Sequence, residues 1–211
     1  ALISVSVCFD SAIFALLVTK SVYIVTKEKD FFTWTSGKSS PIYCDNRKLI
    51  SYPEHREEIV KWFCAYIEKS FPSTDIIAGT ATAGIPWAAL VSKELNLPMV
   101  YIRSRPKGHG MKTAIEGDFS KGQRIVILED LISTGGSSLK AVDAVREANA
   151  EVLSMFAIFT YGFQNAVDNF KNANCSFYTL SDFDHLLKFA VENKLFPKQE
   201  LDFMAEWKAG G

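Results

Sequence analysis

Residues that build metal centres and disulfide frameworks are scarce in this chain. Its 211 residues include only four cysteines and three histidines. Cys8, Cys44, Cys64 and Cys175 lie far apart, with no C-x-x-C pair and no histidine at ligand spacing, which argues against a zinc site or a disulfide scaffold. A reducing cytoplasm is the simplest setting for such thiols. Charge of one sign is also lacking: 23 basic residues against 24 acidic ones leave a formal net charge of -1. No global field therefore marks a nucleic-acid partner, and any basic site must be local. There is no internal repeat, low-complexity tract or linker. The opening stretch "ALISVSVCFDSAIFALLVTK" lacks the basic start of a targeting segment, and Asp10 interrupts its apolar run; it reads as a buried N-terminal helix with no role in a membrane.

What is present is ample core material. With 48% hydrophobic and 22% charged residues, the chain suits one sizeable core with a small appendage. "SYPEHREEIVKWFCAYIEKSF" opens with a possible capping box, Ser51 to Glu54, and repeats apolar residues at Ile59, Phe63 and Ile67, which predicts a helix ending near Ser70. Beyond it come short apolar runs, "DIIAG", "PMVYI", "RIVILE", "EVLSMFAIFTY" and "SFYTL", most of them separated by helix-like stretches such as "AGIPWAALVSKEL" and "GGSSLKAVDAVREANA". That alternation predicts an α/β fold with a mostly parallel sheet covered by helices on both faces.

One connection breaks the rhythm. The stretch from 104 to 122 holds Gly108, Gly110, Gly117 and Gly122 and far exceeds the roughly 2 to 6 residues usual in α/β connections. Arg103, Arg105, Lys107, Lys112 and, when protonated, His109 gather cationic charge around it, which suits a mobile lid closing over a polyanion. On its own the segment fits a solvated surface loop as well.

The densest chemistry lies in "RIVILEDLISTGGSSLKAV". "RIVIL" reads as a buried parallel strand, and ligands of open α/β sheets sit outside the carboxyl ends of strands. Glu129 and Asp130 emerge at that edge. Ser133, Thr134, Gly135, Gly136 and Ser137 then offer hydroxyls and successive backbone N-H groups at the start of a helix, a cradle for phosphate. The carboxylates cannot touch that phosphate, so they suit another part of the same ligand, such as the vicinal hydroxyls of a ribose. A P-loop would need G-K-[ST] and a dinucleotide fold G-x-G-x-x-G; neither is present. An acidic helix cap after a core strand accounts for one acid but not for the whole segment.

"VILEDLISTGGSS" resembles the phosphoribosyl pyrophosphate motif of type I phosphoribosyltransferases, and "RSRPKGHG" resembles the catalytic loop of the orotate phosphoribosyltransferase family. "FTWTSGKSSPIYCDNRKLISYP", "IAGTATAGIPWA" and "AIEGDFSKGQRIV" extend the resemblance from about Asp30 to Leu180. It implies the type I fold, with an N-terminal hood that binds the base over 1–50 and a core over 51–211 carrying the mobile loop 104–122. The implied reaction joins orotate to the phosphoribosyl donor with Mg2+ held through substrate oxygens, in the cytoplasmic synthesis of pyrimidine nucleotides. Neither a nucleic acid nor a membrane is an expected partner.

By the same resemblance, Arg103, Lys107 and His109 contact pyrophosphate, and the donor site runs through Glu129, Asp130, Leu131, Ile132, Ser133, Thr134, Gly135, Gly136 and Ser137. Lys107, His109 and Asp130 are the implied catalytic residues; Ser133, Ser36, Tyr43 and Cys44 are the implied orotate contacts. Thr80 to Ala83 would present backbone to the pyrophosphate, or form a plain strand-to-helix turn. The family is homodimeric, with the loop reaching into the neighbour's site. Many members carry Lys where this chain has Thr35, Ala83 and Ser104, and an Arg near Thr160 and Tyr161, although one branch lacks these cations too. His55 and His185 have no acid or Cys partner at useful spacing and read as surface or structural residues. The rival readings are a phosphoribosyltransferase for purines, which would lack the K-x-H-G loop, and a non-catalytic regulator bound to nucleic acid, which would carry a basic face.

Overall fold

The computed structural model describes residues 5–6, 21–25, 30–34, 37, 39–104 and 114–209. The runs expected to be strands form the centre of the molecule. They are β6 (Ile76–Thr80), β7 (Met99–Ile102), β9 (Arg124–Ile132), β10 (Glu151–Thr160) and β11 (Phe177–Asp182). With β1 (Val5–Ser6) and β8 (Ile115–Glu116) they make a seven-stranded sheet of order β1-β11-β10-β9-β6-β7-β8. Every pairing is parallel except β7 with β8.

Alternation along the strands divides the core between two faces. Val126 and Leu128 pack with α1 (Pro53–Ser70) and α2 (Gly84–Leu95), through Ile59, Phe63, Ile67, Trp87 and Val91. Ile125 and Ile127 pack with α3 (Gly136–Glu147) and α4 (Gln164–Asn172), through Val142, Val145, Ala166 and Phe170. Strands buried on both faces read as continuous apolar runs, which is why the sequence exposes them. At the amino end of the sheet, the Asp75 carboxylate accepts from the Arg124 backbone N-H at 2.8 Å and from its Nε at 2.9 Å and Nη2 at 2.8 Å. These bonds hold the Asp75 pKa down at about 2 and pin the starts of β6 and β9 together.

A smaller layer caps the carboxyl end. It holds β2 (Val22–Ile24) paired with β5 (Ile42–Cys44), β3 (Phe32–Thr33) paired with β4 (Ser39–Ser40), and a 3-10 turn over Asn46–Ser51. α5 (Phe183–Glu192) and α6 (Lys198–Ala209) complete it from the far end of the chain. Trp34, Ile42 and Cys44 share a third apolar cluster with Phe159, Tyr161, Phe183, Leu186, Leu201 and Met204.

Four expectations are corrected. Val5 and Ser6 form a strand beside β11 where a helix was expected; "ISVSV" alternates with period two, and an open parallel edge takes such a run. The rest of that stretch lies outside the described residues. α1 starts at Pro53 with Tyr52 as its cap and no side-chain cap bond, so the Ser51–Glu54 box does not form; proline at the first helical position sets the start. Within 104–122, Ile115 and Glu116 pair with Ile102 and Tyr101, which shortens the expected loop. Finally, both histidines have acid neighbours one helical turn away. His55 lies 3.9 Å from Glu58, and His185 Nδ1 lies 2.9 Å from the Asp182 carboxylate, which also caps α5.

Candidate active site

The chain runs from β6 outward to β7 and then returns to the other side of β6 as β9, so the order of strands reverses between β6 and β9. Such a switch point leaves a crevice at the carboxyl ends of the strands. Here a cleft of about 670 Å³ lies over it, within the size range of small-ligand sites. Three walls close it: the end of β9 with the start of α3, the loop after β6, and the hood.

The first wall holds most of the sequence's candidates. Asp130, Leu131, Ser133, Thr134, Gly135, Gly136 and Ser137 all line the cleft. Gly135 adopts the left-handed region, φ 81°, and turns the chain into α3. No side chain caps this helix, and its first backbone bond, Leu139 N-H to Gly135 O at 2.8 Å, leaves the preceding amides open to an anion. Asn169 Nδ2 on α4 donates to the Thr134 carbonyl at 3.0 Å and steadies the cradle from behind. The Ser133 hydroxyl is buried with no hydrogen-bond partner among the described residues. A buried hydroxyl in that state suits a ligand atom.

Glu129 and Asp130 do not act as an equal pair. Only Asp130 lines the cleft, although the two carboxyl groups share a side-chain hydrogen bond. The Glu129 carboxylate accepts from the Asp130 backbone N-H at 3.0 Å. Burial, followed by the charge of Asp130, raises the Glu129 pKa. Burial also raises that of Asp130. Burial thus disfavours the charged form of both, the Arg47 charge offsets this only in part at Asp130, and a cationic ligand would relieve them. Ile132 turns into the core against α3 and α4, so its side chain is not a cleft residue.

The second wall is the turn after β6, where Ala83 lines the cleft and the Ala81–Thr82 peptide is cis. Gly84 opens α2 so close to β9 that a Cβ would lie 2.3 Å from the Leu128 carbonyl.

The hood forms the third wall with Thr33, Trp34, Tyr43, Cys44, Asp45 and Arg47, and Tyr161 at the end of β10 joins it. The Trp34 and Tyr161 rings lie 4.4 Å apart, and the Tyr161 hydroxyl accepts from the Cys44 backbone N-H at 3.2 Å. Burial pushes the Cys44 thiol up to about 12, so it stays a thiol, and it donates to Asn46 Oδ1 at 3.0 Å. Arg47 Nε is paired with Asp45 at 2.5 Å.

The structure therefore gathers Tyr43, Cys44, Asp130, Leu131 and Ser133 to Ser137 in one cleft. Arg103 is elsewhere, with Nη1 paired to Glu116 at 3.3 Å, and does not line it. Ser36, Thr35, Lys107 and His109 lie outside the described residues. Ser104 is exposed; Thr160 bonds the Ile132 carbonyl at 2.9 Å and serves the backbone. Sequence reasoning missed Thr33, Trp34, Asp45, Arg47 and Lys140. Lys140 had a readable signal: it stands four residues after Gly136 on a helix, hence on the face of the cradle. The four hood residues lay in a stretch that carries the resemblance, but no local pattern singled them out, because contacts with distant parts of the chain place them.

Fold and cleft together set an uncapped helix start and an aromatic hood around one cleft at the carboxyl edge of a mostly parallel sheet. The phosphoribosyl transferase domain family matches residues 53–185. Orotate phosphoribosyltransferase of Cytophaga hutchinsonii is 50% identical over 92% of this chain and 93% of its own length. The Staphylococcus saprophyticus enzyme of that name is 48% identical over 92% and 95%. Among solved structures, Leishmania donovani UMP synthase has a TM-score of 0.78 at 30% identity over 95% of this chain, which spans 42% of that one. Orotate phosphoribosyltransferase from Aeropyrum pernix shares the fold, with a TM-score of 0.68 at 24% identity over 80% of this chain and 92% of its own. The chain belongs to the phosphoribosyltransferases and, within them, to the orotate phosphoribosyltransferase family.

Proposed function

We infer that this chain transfers the 5-phosphoribosyl group of phosphoribosyl pyrophosphate to N1 of orotate, forming orotidine 5'-monophosphate and releasing pyrophosphate, a step in making pyrimidine nucleotides. One observation carries the reading: a single cleft joins an uncapped helix start, the Asp130 carboxylate and an aromatic hood. Half-identity with orotate phosphoribosyltransferases along most of the chain supports orotate over a purine. The fold cannot choose between bases, since Leishmania donovani adenine phosphoribosyltransferase shares it at 21% identity with a TM-score of 0.64.

Thr134 to Ser137 would hold the 5'-phosphate through backbone amides, with Lys140 adding charge. Asp130 would take the ribose hydroxyls. As pyrophosphate leaves C1, positive charge grows on the ribose, and an ionised Asp130 nearby stabilises it. Ser133 would meet the base beside Tyr43 and Cys44, and the hood would keep water from the reacting carbon.

The donor set fits a Mg2+ that takes its oxygens chiefly from substrate. Asp45 is ion-paired to Arg47, which leaves Asp130 as the cleft carboxylate open to it. When bound, the ion would supply Lewis-acid neutralisation of the departing pyrophosphate. Lys107 and His109 would reach the same oxygens from the loop, and Arg103 would join them by exchanging Glu116 for pyrophosphate.

The proposed assembly is a cytoplasmic homodimer with shared loops; no described helix is long and apolar enough to cross a membrane. Mixing Lys107→Ala with Asp130→Ala subunits, each inactive alone, should restore roughly a quarter of wild-type activity if the loop crosses between subunits. No recovery would mean that each loop serves its own site. The activity itself is tested by the fall in orotate absorbance with donor and Mg2+, with adenine as the competing acceptor. Turnover of adenine without orotate would overturn the assignment.

A further inference from the structure

A buried chain of hydrogen bonds joins the hood to the strand ends, and the chemistry above makes no use of it. Asp45 and Arg47 line the cleft, whereas Asn46 between them does not and is fully buried. Its Nδ2 donates to the Asp130 carbonyl at 2.8 Å, and its Oδ1 accepts from the Cys44 thiol at 3.0 Å. One side-chain amide thus spans the two walls that face each other across the cleft. Cys44 is fastened again through its N-H to Tyr161, and Trp34, in tilted ring contact with Tyr161, donates Nε1-H to the Ile42 carbonyl at 3.2 Å.

The orientation of the amide follows from its partners. A protonated thiol offers its hydrogen to Oδ1, and a carbonyl can only accept, so Nδ2 must face Asp130. No flipped form satisfies both ends, and a buried carbonyl left unpaired is costly. The residue is therefore held in one pose, and it holds the backbone of Asp130 and the side chain of Cys44 at a fixed separation.

We propose that Asn46 is a positioning residue for group transfer: its amide sets the hood against the end of β9, so that a planar base beside Cys44 and a sugar at Asp130 meet at reacting distance. This rests on the ribosyl-transfer reading of the cleft. Asn46 touches neither substrate. Its loss should leave each substrate bound in its own half-site and misplace one half against the other.

The test compares Asn46→Leu, which has similar volume and no hydrogen bonds, with wild type well below the melting temperature. Misplacement on the scale of an ångström predicts a fall in kcat of about 100-fold. Calorimetric affinities for the donor and for orotate, each measured alone, should stay within about threefold of wild type, the signature of a lost alignment rather than a lost contact. If Asn46→Leu does not fold, Asn46→Asp carries the same test, because it keeps the thiol contact and sets an oxygen against the Asp130 carbonyl. Unchanged kcat with a lowered melting temperature, or failure of both variants to fold, would make Asn46 structural and overturn the proposal. Wild-type protein without orotate turnover would instead overturn the functional reading.

Discussion

Asp130 and Glu129 show how far two adjacent carboxylates can diverge. In the sequence they read as one acidic unit, because nothing local separates them. The structure does so: Asp130 lines the cleft, while the Glu129 carboxyl sits behind it, accepting from the Asp130 amide and sharing a side-chain hydrogen bond with the Asp130 carboxyl. Asp130→Asn keeps shape and removes charge, so kcat should drop by about 100-fold or more, by analogy with the loss of one preorganised electrostatic partner. The variant should melt no lower than wild type, because the folded state disfavours the charge it removes. Steady-state kinetics beside a thermal melt check both halves, and near-normal kcat would remove Asp130 from the chemistry. Glu129→Gln tests linkage. The Glu129 pKa is raised above its ordinary 4.5, so between 4.5 and the raised folded value the folded protein binds the proton that the unfolded chain has released. Wild-type stability must then fall as pH rises through that window. Glu129→Gln, which still accepts from the Asp130 amide, should match wild type in acid and exceed it at neutral pH and above. Melting temperatures that separate in acid instead would contradict the sign.

At the scale of elements, the central strands and the phosphate cradle were legible because each is encoded locally. Continuous apolar runs mark strands buried on both faces, and Gly135-Gly136 before an amphipathic stretch marks a helix start. The hood was not legible in this way. β2 to β5 are only two or three residues long, and their positions come from Tyr161, Trp207 and other residues more than 100 positions away. β8 escaped notice for a similar reason: two residues carry no periodicity, and pairing with β7 alone defines them. The cradle carries its own prediction. Gly135 sits at φ 81°, and a Cβ there would lie 2.9 Å from Phe170 Cε2. Gly135→Ala should cost about 1–2 kcal/mol from the left-handed backbone alone, read by denaturant unfolding. It should also raise the KM for the donor more than that for orotate, because the turn aims the helix amides. A larger effect on orotate would mean that Gly135 serves the hood instead.

On the scale of the whole molecule, the family match over 53–185 excludes two pieces that the fold brings together. The hood, from the early chain, and α6, from its end, meet in the third apolar cluster over the carboxyl ends of β10 and β11. Trp34 lies 5.9 Å from Trp207 in an edge-on contact and 4.4 Å from the cleft residue Tyr161. The hood wall of the cleft is therefore backed by a helix that does not itself line the cleft, and its rigidity should depend on that helix staying docked. Met204 is the place to test this, since it is fully buried in the cluster, does not line the cleft and is remote from the cradle. Met204→Ala should cost about 2–5 kcal/mol, the range for emptying such a site. Most of that loss should fall on the hood: hydrogen exchange at Ile42, Tyr43 and Cys44 should quicken, while amides of β6 and β9 keep wild-type protection. The kinetic consequence is directional. The KM for orotate should rise and that for the donor should hold, because the cradle rests on α4 and not on α6. Uniform loss of protection across the sheet, or equal changes in both KM values, would show that the two layers unfold as one and that α6 supports the whole protein rather than the hood.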